Sequence, residues 1–439
     1  MKQSHKTIGH RAAVVASLVV TSLALSACSG AEPSTTTKPT IVWGTQVSDS
    51  QRAVETKIVK ACGVEAGANV TIQVTPFSNY DTKLSTALKG GDAPDVFRIN
   101  WPNVQIYHNA GYLADLSKPI AAGTIKTSEL IPGLVAIGTL SGGQYSLPND
   151  TDGRALYYSP KLFKQAGIVD DSGNALPPET WSDLVADVKK FNPDSGVYGF
   201  SFQQQTPYSA LIEAVGPFLK ASNGTVVSGA KKPESVASKD ASSIAAMQLL
   251  QNIVKTGSVP PGLSNMQDTT QTNLFAAGKL AMFTGGPWDR GQILDANPSA
   301  KYGVDYATAV IPVQKAGEAS GTSSGGWENG INAKSKHLEQ DYKFLNCMES
   351  PKNLLKQAST GSFPPLKDGM NQPPFSKDPF WSAYKKMMPK SGTALPAIPQ
   401  LNQYCGDYQA AFQEIVLQNK PVKSTLRDFD AKENGQVLN

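Results

Sequence analysis

Downstream of residue 40, short apolar runs alternate with longer stretches of helical spacing. Residues 40–43, 70–74 and 95–99 show the apolar or alternating pattern that is typical of strands. Residues 49–62 and 81–89 place apolar side chains on one helical face, which predicts two helices between these strands. A β-α-β-α-β arrangement is therefore expected by residue 100.

The alternation continues through the rest of the chain and predicts an α/β architecture with largely parallel sheets. The clearest helix start is at Thr180, which can form a variant of the capping box with Asp183. Leu184, Val188 and Phe191 follow at helical spacing and form the predicted buried face of that helix.

The N-terminal 28 residues are typical of a secretory signal, because a basic start precedes an apolar stretch and small residues lead into Cys28. The apolar stretch is shorter than the roughly 20 residues of a membrane span. The ending resembles a bacterial lipobox, which implies cleavage before Cys28, diacylation of its thiol and anchoring to the outer face of the cytoplasmic membrane. Residues 1–27 are then the signal peptide and 28–40 a polar tether. An ordinary signal with a chance cysteine is the alternative.

About 400 residues follow this tether, a length that suits two or three lobes better than a single hydrophobic core. The full chain carries 40 basic and 36 acidic side chains, and loss of the three signal-peptide cations leaves 37 against 36. This balance excludes the positive excess of a nucleic-acid-binding protein. The cysteines and histidines lack the spacing of a zinc site, so neither a metal nor another cofactor is expected.

Several short motifs occur in the order found in one family of transport proteins. They lie at residues 91–96, 111–116, 147–153, 155–159, 162–168, 178–181, 275–282, 285–288, 325–332 and 395–400. Each motif alone is weak, but together they span most of the chain. In this order they resemble the sugar-binding lipoproteins of ABC importers, the extracellular solute-binding family that includes maltose-binding protein.

This resemblance implies a two-lobed, periplasmic-binding-protein-like fold, with a ligand cleft between lobes that are joined by crossing segments. It places residues 41–148 and 313–356 in lobe 1, and residues 149–312 and 357–439 in lobe 2. It also implies a monomeric binding protein rather than an enzyme, which delivers a carbohydrate, expected to be an oligosaccharide, to ABC permease subunits. The membrane is then a partner through the lipid anchor, and no nucleic acid is involved.

Sugar recognition sets the chemistry of the expected site. Aromatic rings pack on pyranose faces, while carboxylates, amides and arginines exchange hydrogen bonds with hydroxyl groups. The resemblance implies that Asp152 accepts from sugar hydroxyls and that Trp288 is a stacking platform; a turn carboxylate and a core tryptophan are the alternatives. The other expected ligand-binding residues are Gln46, Tyr80, Asn100, Trp101, Asp150, Gln204, Asp289, Arg290, Trp327, Glu328 and Phe363.

Position along the chain supports several of these residues. Asn100 and Trp101 follow the third predicted strand, at the carboxyl end where open α/β sheets bind ligands. Trp327 follows a glycine pair that lets the backbone approach a ligand closely. Asp289 and Arg290 depart from the maltose binder, where another aromatic follows the tryptophan, so a more polar subsite is expected than one for maltose.

Three cysteines remain besides Cys28, and in an oxidising exterior one disulfide and one free thiol are the natural partition. The family topology places Cys62 and Cys347 in one lobe and Cys405 in the other. It thereby implies a Cys62–Cys347 disulfide and a free Cys405.

Two other functions stay open at this point. Asp150, Asp152 and Glu328 could supply the paired carboxylates of a secreted glycoside hydrolase. The same fold could instead bind a non-sugar solute such as a peptide or a polyamine. Those ligands would require a cleft lined by charged groups, whereas the expected site mixes acidic, basic, aromatic and amide side chains.

Overall fold

The computed structural model describes residues 38–229, 232–396 and 398–438, so Cys28 and the predicted signal peptide lie outside the described residues. Helices and strands alternate along the chain, as predicted. The strands are β1 (Thr40–Thr45), β2 (Asn69–Val74), β3 (Val96–Asn100), β4 (Thr139–Leu140), β5 (Gly143–Gln144), β6 (Ser146–Thr151), β7 (Ala155–Tyr158), β8 (Tyr198–Ser201), β9 (Val227–Ser228), β10 (Glu234–Ser235), β11 (Leu280–Gly285), β12 (Ala307–Ala309) and β13 (Gly326–Ile331).

The helices vary from four to eighteen residues. They are α1 (Asp49–Ala66), α2 (Phe77–Gly90), α3 (Trp101–Asn109), α4 (Ser117–Ala121), α5 (Pro132–Val135), α6 (Pro160–Gln165), α7 (Trp181–Val188), α8 (Val215–Ala221), α9 (Ala241–Lys255), α10 (Asp268–Ala276), α11 (Asp289–Ala296), α12 (Leu338–Met348), α13 (Pro351–Ala358), α14 (Ser382–Met387), α15 (Leu401–Phe412) and α16 (Val422–Lys432). Within the described residues, none of the helices is both long and apolar enough to span a membrane.

Each lobe is built on its own sheet. The first sheet has the strand order β2-β1-β3-β13-β6, and the second has the order β12-β7-β11-β8. In the first sheet β1 pairs in parallel with β2 and β3, while β13 pairs antiparallel with β3 and β6. In the second sheet only β11 and β8 are parallel, because β7 is antiparallel to both of its neighbours.

The prediction of largely parallel sheets is therefore wrong, and the crossings between lobes explain why. The chain leaves the first sheet along β6 and enters the second along β7, then returns to the first along β13. A strand that enters a lobe from the cleft runs opposite to the strands that end at the cleft. Both β7 and β13 must therefore pair antiparallel with their neighbours.

Separate groups of buried side chains lie behind the two sheets. The lobe 1 core includes Trp43, which is fully buried against Phe344 with ring centroids 5.9 Å apart. The lobe 2 core includes the predicted face of α7, in which Leu184 and Val188 are inaccessible to solvent. The capping box at Thr180 is confirmed, since its hydroxyl accepts from the Asp183 N–H at 3.2 Å and the Asp183 carboxylate accepts from the Thr180 N–H at 3.0 Å.

The first helix continues past its predicted end. α1 ends at Ala66, where Gly67 adopts a φ of 73° and caps the helix in the left-handed conformation. Gly63 lies within α1, and a Cβ at this position would lie 2.3 Å from a methyl group of Val70. The glycine at 63 therefore provides close packing of α1 on β2 rather than a helix end.

Three backbone segments pass side by side between the lobes. Thr151 exchanges backbone hydrogen bonds with Phe363, at 3.1 Å and 2.7 Å. The N–H of Asp152 donates to the carbonyl of Gly325 at 3.1 Å. These contacts tie the β6–β7 crossing to the segments that precede β13 and that follow α13.

Two boundary segments pack differently from the expected division of the chain. Val313, assigned to lobe 1, donates its N–H to Glu179 of lobe 2 at 3.0 Å, and the Ser323 hydroxyl donates to the Ile212 carbonyl at 2.7 Å. Leu366, assigned to lobe 2, packs in the core of lobe 1 and bridges to Leu130. Both segments lie next to the crossings, where the chain changes lobes.

A disulfide joins Cys62 of α1 to Cys347 of α12, and the third described cysteine, Cys405, is free and buried in lobe 2. The linked residues are 285 positions apart in the sequence. Closing so long a loop removes much of the conformational entropy of the unfolded chain. The bond therefore fastens the N-terminal part of lobe 1 to the segment that returns after β13.

We expect the paired variant Cys62→Ser/Cys347→Ser to lower the free energy of unfolding by about 2–5 kcal/mol. The measurement is urea denaturation of a soluble form that lacks residues 1–28. Thiol counting in denaturant should find one reactive thiol before reduction and three after it. Three thiols before reduction would contradict the pairing, and Cys405→Ser serves as the control, since it removes the single thiol that is expected to react.

Candidate ligand-binding site

A cavity of about 850 Å³ lies between the lobes, at the edges where strands of both sheets end. Lobe 1 contributes the ends of β1 and β3 and the first turns of α1 and α2, and lobe 2 contributes α10, α11 and the loop after β8. This volume falls within the roughly 300–1,000 Å³ that is typical of small-molecule sites. Aromatic rings, charged groups and amides line the same space.

The lobe 1 wall contains a tryptophan, an arginine and a carboxylate in contact. The guanidinium of Arg98, on β3, forms an ion pair with Asp150 on β6. The same guanidinium lies 5.0 Å from the centroid of the Trp327 ring. Phe77 and Tyr80 of α2 meet the Trp327 ring edge to face, with centroids 6.1 Å and 5.7 Å away. The Trp327 ring is thus fixed by three neighbours.

The lobe 2 wall repeats this combination. Arg154 donates hydrogen bonds to both carboxylate oxygens of Glu213, and the bond from its Nε is 2.8 Å long. It also forms an ion pair with Asp152. Its guanidinium lies 5.2 Å from the centroid of the Trp288 ring. The N–H of Gly325 donates to Asp152 at 2.7 Å, so this carboxylate also binds a second crossing segment.

Two glycines allow backbone to pass directly beside the aromatic rings. A Cβ at Gly361, where φ is 144°, would lie 2.6 Å from the Cα of Trp288. A Cβ at Gly326 would lie 2.3 Å from the ring of Trp101. Any larger residue at these two positions would displace the tryptophan beside it.

The structure brings six of the residues predicted to bind ligand to the cavity wall. Two are aromatic, two are acidic and two are amides, as expected for a sugar site. They are Gln46, Asn100, Asp150, Asp152, Trp288 and Trp327.

Seven other predicted residues do not line this cavity. They are Tyr80, Trp101, Gln204, Asp289, Arg290, Glu328 and Phe363. Strand geometry accounts for Glu328, because neighbouring residues on a strand point to opposite faces, and Trp327 takes the cavity face. Glu328 is fully buried and accepts from the Ser146 hydroxyl at 3.0 Å. Gln204 is likewise buried, while Gln203 and Gln205 on either side of it line the cavity.

The remaining members of this group support the site from behind. Asp289 is buried and accepts from the N–H of Gly286 at 2.9 Å, which shapes the turn before Trp288. Arg290 forms an ion pair with Asp378 and lies over Phe380. Tyr80 donates its hydroxyl hydrogen to the Arg98 carbonyl at 2.8 Å.

Phe363 and Trp101 also lie behind the wall. Phe363 packs in the lobe 2 core against Trp381 and Tyr384, with ring centroids 5.8 Å and 5.4 Å away. Trp101 lies beside Gly326 at the start of β13. Both aromatic residues therefore pack next to the crossing segments rather than facing the cavity.

Sequence reasoning missed the two buried arginines and Glu213. Arg98 interrupts an apolar strand and Glu213 an apolar helical run at residues 210–214, and a charge in such a run requires a buried partner. Arg154 follows Asp152 by two residues. Charged residues inside apolar segments were therefore the signal that could have identified these contacts.

Comparison with known proteins places the chain in a family. The family model for bacterial extracellular solute-binding proteins matches residues 49–354, which is more than half of the chain. The chain is a bacterial extracellular solute-binding protein. This solute-binding protein is 25% identical over 364 residues to the multiple sugar-binding protein of Streptococcus mutans, covering 80% of its own length and 81% of that relative.

Two solved structures are similar to this solute-binding protein. An ABC transporter solute-binding protein from Thermotoga lettingae, bound with α-D-tagatose, has a TM-score of 0.79 at 22% identity, over 92% of this chain and 100% of that one. The maltotriose-binding protein of Thermus thermophilus, bound with maltotriose, has a TM-score of 0.72 at 23% identity, over 90% and 99% of the two chains. These likenesses establish the two-lobed fold.

In this solute-binding protein the Asp150 carboxyl is a weaker acid than an ordinary aspartate. Burial raises its pKa to about 6, although the nearby Arg98 guanidinium acts in the opposite direction. The unfolded value is close to 3.8. A raised folded-state pKa means that this group favours folding most at acid pH, and that its contribution is lost as the pH rises from about 4 through about 6.

Ligand affinity is expected to follow the opposite trend. If a ligand hydroxyl donates to ionised Asp150, the dissociation constant should rise about tenfold when the pH falls from about 7.5 to about 5. Asp150→Asn should bind more weakly at neutral pH and lose this dependence, because an amide does not titrate in this range. Calorimetric titration at several pH values measures both. An unchanged pH profile in the variant would contradict the assignment of Asp150.

Proposed function

We propose that this extracellular solute-binding protein captures a sugar between its lobes and delivers it to an ABC permease. One observation carries the proposal: each lobe presents a tryptophan beside an arginine–carboxylate pair, and both face one cavity. The tryptophan rings supply flat apolar faces for pyranose C–H groups. The charged and amide side chains supply donors and acceptors for buried hydroxyls.

An oligosaccharide is the favoured ligand. The two platforms belong to different lobes and would engage different parts of one ligand, and about 850 Å³ suits more than one sugar ring. The similar protein from Thermus thermophilus is bound with maltotriose, while the one from Thermotoga lettingae is bound with a monosaccharide. Gln203, Gln205 and Gln292 add amide groups along the lobe 2 wall.

Closure of the lobes would follow from contacts that exist only when both face the ligand. We take residues 41–148 and 313–356 as lobe 1, and 149–312 and 357–439 as lobe 2. Residues 149–151 complete a strand of the lobe 1 sheet, and the segments near 313–324 and 366 pack across these boundaries. The ligand then shifts the population toward the closed arrangement. The three crossing segments form the joint.

Residues 1–27 are proposed as a signal peptide, and Cys28 as the lipid-modified N-terminus of a monomer held near its permease. Cys28→Ala should still bind sugar but should appear in the medium rather than in the membrane fraction. Sugar-induced stabilisation and immunoblots of the two fractions measure these outcomes. Retention of the variant in the membrane fraction would contradict the lipid anchor.

Hydrolysis is the less favoured function. Of the three carboxylates considered for hydrolysis, Asp150 and Asp152 each pair with an arginine, and Glu328 is buried away from the cavity, so these three do not form the free pair of acids that a glycosidase uses. A panel of labelled mono- and oligosaccharides tests the proposal. One sugar should be retained at a ratio of one to one and recovered unchanged. Release of shorter products would support an enzyme, and no retention of any sugar would reject the proposed function.

A further inference from the structure

The wall of the cavity carries more acidic than basic side chains, and this excess limits which ligands can bind. Three guanidinium groups line the cavity, and each has a carboxylate partner: Arg98 pairs with Asp150, Arg154 with Asp152 and Glu213, and Arg52 with Asp49 at 2.8 Å. No lysine or histidine lines it within the described residues. A ligand carboxylate or phosphate would thus find every cation already engaged.

Acidic groups exceed these cations. Among the described residues, six carboxylates and three guanidinium groups line the cavity, and the two carboxylates without an arginine partner are Asp268 and Asp295. Among the described residues, neither forms an ion pair. Asp268 accepts from the Gln292 amide at 3.0 Å and from the N–H of Thr269 at 2.7 Å, so its charge is solvated by neutral groups and held in a defined position.

The two carboxylates lie on neighbouring helices, with Asp268 half-buried and Asp295 exposed. Asp268 begins α10 and Asp295 lies near the end of α11, and the two helices pack against each other on the lobe 2 side. The Thr272 hydroxyl donates to Gln292 at 3.0 Å, which completes a row from Thr272 through Gln292 to Asp268. α1 of lobe 1 approaches α11 at this end of the cavity, so a ligand group bound there would lie between the two lobes.

The buried side chain of Asp289 lies near the same negative charges. Asp289 is inaccessible to solvent and one of its carboxylate oxygens has no hydrogen-bond partner among the described residues. Burial raises the pKa of Asp289 well above its ordinary value, and the nearby charges of Asp268 and Glu213 raise it further. This end of the cavity therefore disfavours an additional negative charge and favours a positive one.

We propose that the cavity selects a sugar that carries a basic nitrogen, an amino sugar, over its neutral and acidic counterparts, with the ammonium group bound beside Asp268. This proposal rests on the proposed function and names the class of sugar for the same site. An ammonium group would donate up to three hydrogen bonds to Asp268, Asp295 and the Gln292 oxygen. A neutral hydroxyl would leave the excess charge uncompensated, and a carboxylate would add to it.

The test compares glucose, glucosamine and glucuronate, and the corresponding disaccharides in α-1,4 and β-1,4 linkage, by calorimetric titration of the full extracellular protein at about pH 7. We expect the amino form to bind about tenfold more tightly than the neutral form of the same linkage, because a charge-assisted hydrogen bond contributes about 1.4 kcal/mol or more. The acidic form should show no measurable binding. Added salt should weaken the amino form selectively.

Variants locate the effect. Asp268→Asn keeps the side-chain shape but removes the charge, and should lower the ratio of amino to neutral affinity toward one. Asp171→Asn removes the same charge from an exposed turn outside the cavity, and should leave that ratio unchanged. The unfolding transition of each unliganded variant reports whether the fold is intact.

The outcomes separate this inference from the proposed function. If a neutral or acidic sugar binds at least as tightly as its amino form, or if Asp268→Asn keeps the preference, the inference is overturned while sugar capture stands. If no sugar binds, the proposed function fails as well. Binding of a polyamine such as spermidine, without any sugar, would point to a non-sugar cation and would reject both.

Discussion

Trp288→Ala is expected to weaken sugar binding about a hundredfold or more, to the point where ligand no longer raises the unfolding temperature. The ring is partly exposed to the cavity, and aromatic anchors at the centre of a binding site contribute about 2–4 kcal/mol. The unliganded variant should be nearly as stable as the wild type, because Trp288 belongs to none of the three clusters of buried apolar side chains among the described residues. Thermal unfolding with and without the best sugar of the panel measures both effects.

The conservative variant Trp288→Phe is the matched control. It retains a flat ring on the same turn and should keep most of the affinity, with a loss of about tenfold or less. If Trp288→Ala binds as well as the wild type, the ring is not a platform. If both variants lose binding equally, the turn from Gly286 to Asp289 has been disturbed, and the role of the ring itself is contradicted.

The second large effect concerns stability. Arg154→Leu should lower the free energy of unfolding by about 3–5 kcal/mol, because it leaves the carboxylates of Asp152 and Glu213 buried without a cation. Burial already raises the pKa of Glu213 despite Arg154 beside it. Without Arg154 the Glu213 carboxyl should take up a proton more readily, so the loss of stability should shrink as the pH falls from about 7.5 to about 5.

Urea denaturation of both proteins at the two pH values measures this difference. Arg427→Leu is the control, since Arg427 is an exposed arginine whose side chain is 73% accessible and whose contact with Asp428 is 3.7 Å long. Arg427→Leu should lower the free energy of unfolding by less than about 0.5 kcal/mol at either pH. A cost for Arg154→Leu that is equally small would show that the buried pairs contribute little to folding.

The sequence predicted the order of elements better than their pairing. The strands and helices of the first hundred residues lie within a few positions of the predicted ranges, because apolar periodicity reports which face each element buries. Strand direction was mistaken at β7 and β13. Whether a strand enters its sheet from the cleft or from the far side depends on how the chain crosses between lobes, and periodicity carries no information about that.

The candidate site shows a similar limit. Residues such as Trp288 and Asp152 could be found because they follow motifs that the family shares. Glu328 and Gln204 were selected for their chemical type, but the alternation of side chains along an extended backbone turns them away from the cavity. Arg98 was overlooked because its partner Asp150 lies two strands away in the sheet, and the local sequence does not show that the two side chains meet. Arg154 lies two residues from Asp152, but the sequence does not show that its other partner is Glu213.

The β6–β7 crossing has a consequence for engineering. Within five residues, Asp150 engages an arginine of lobe 1, while Asp152 and Arg154 form the charged contacts of lobe 2. The same stretch of backbone is bonded to both other crossing segments. A designer who changes either carboxylate to accept a new ligand therefore also alters the joint about which the lobes turn. A substitution at Asp150 or Asp152 therefore changes both the ligand specificity and the angle between the unliganded lobes. In a sensor built on this protein, the ligand specificity should be changed at Trp288 or Asp268 instead.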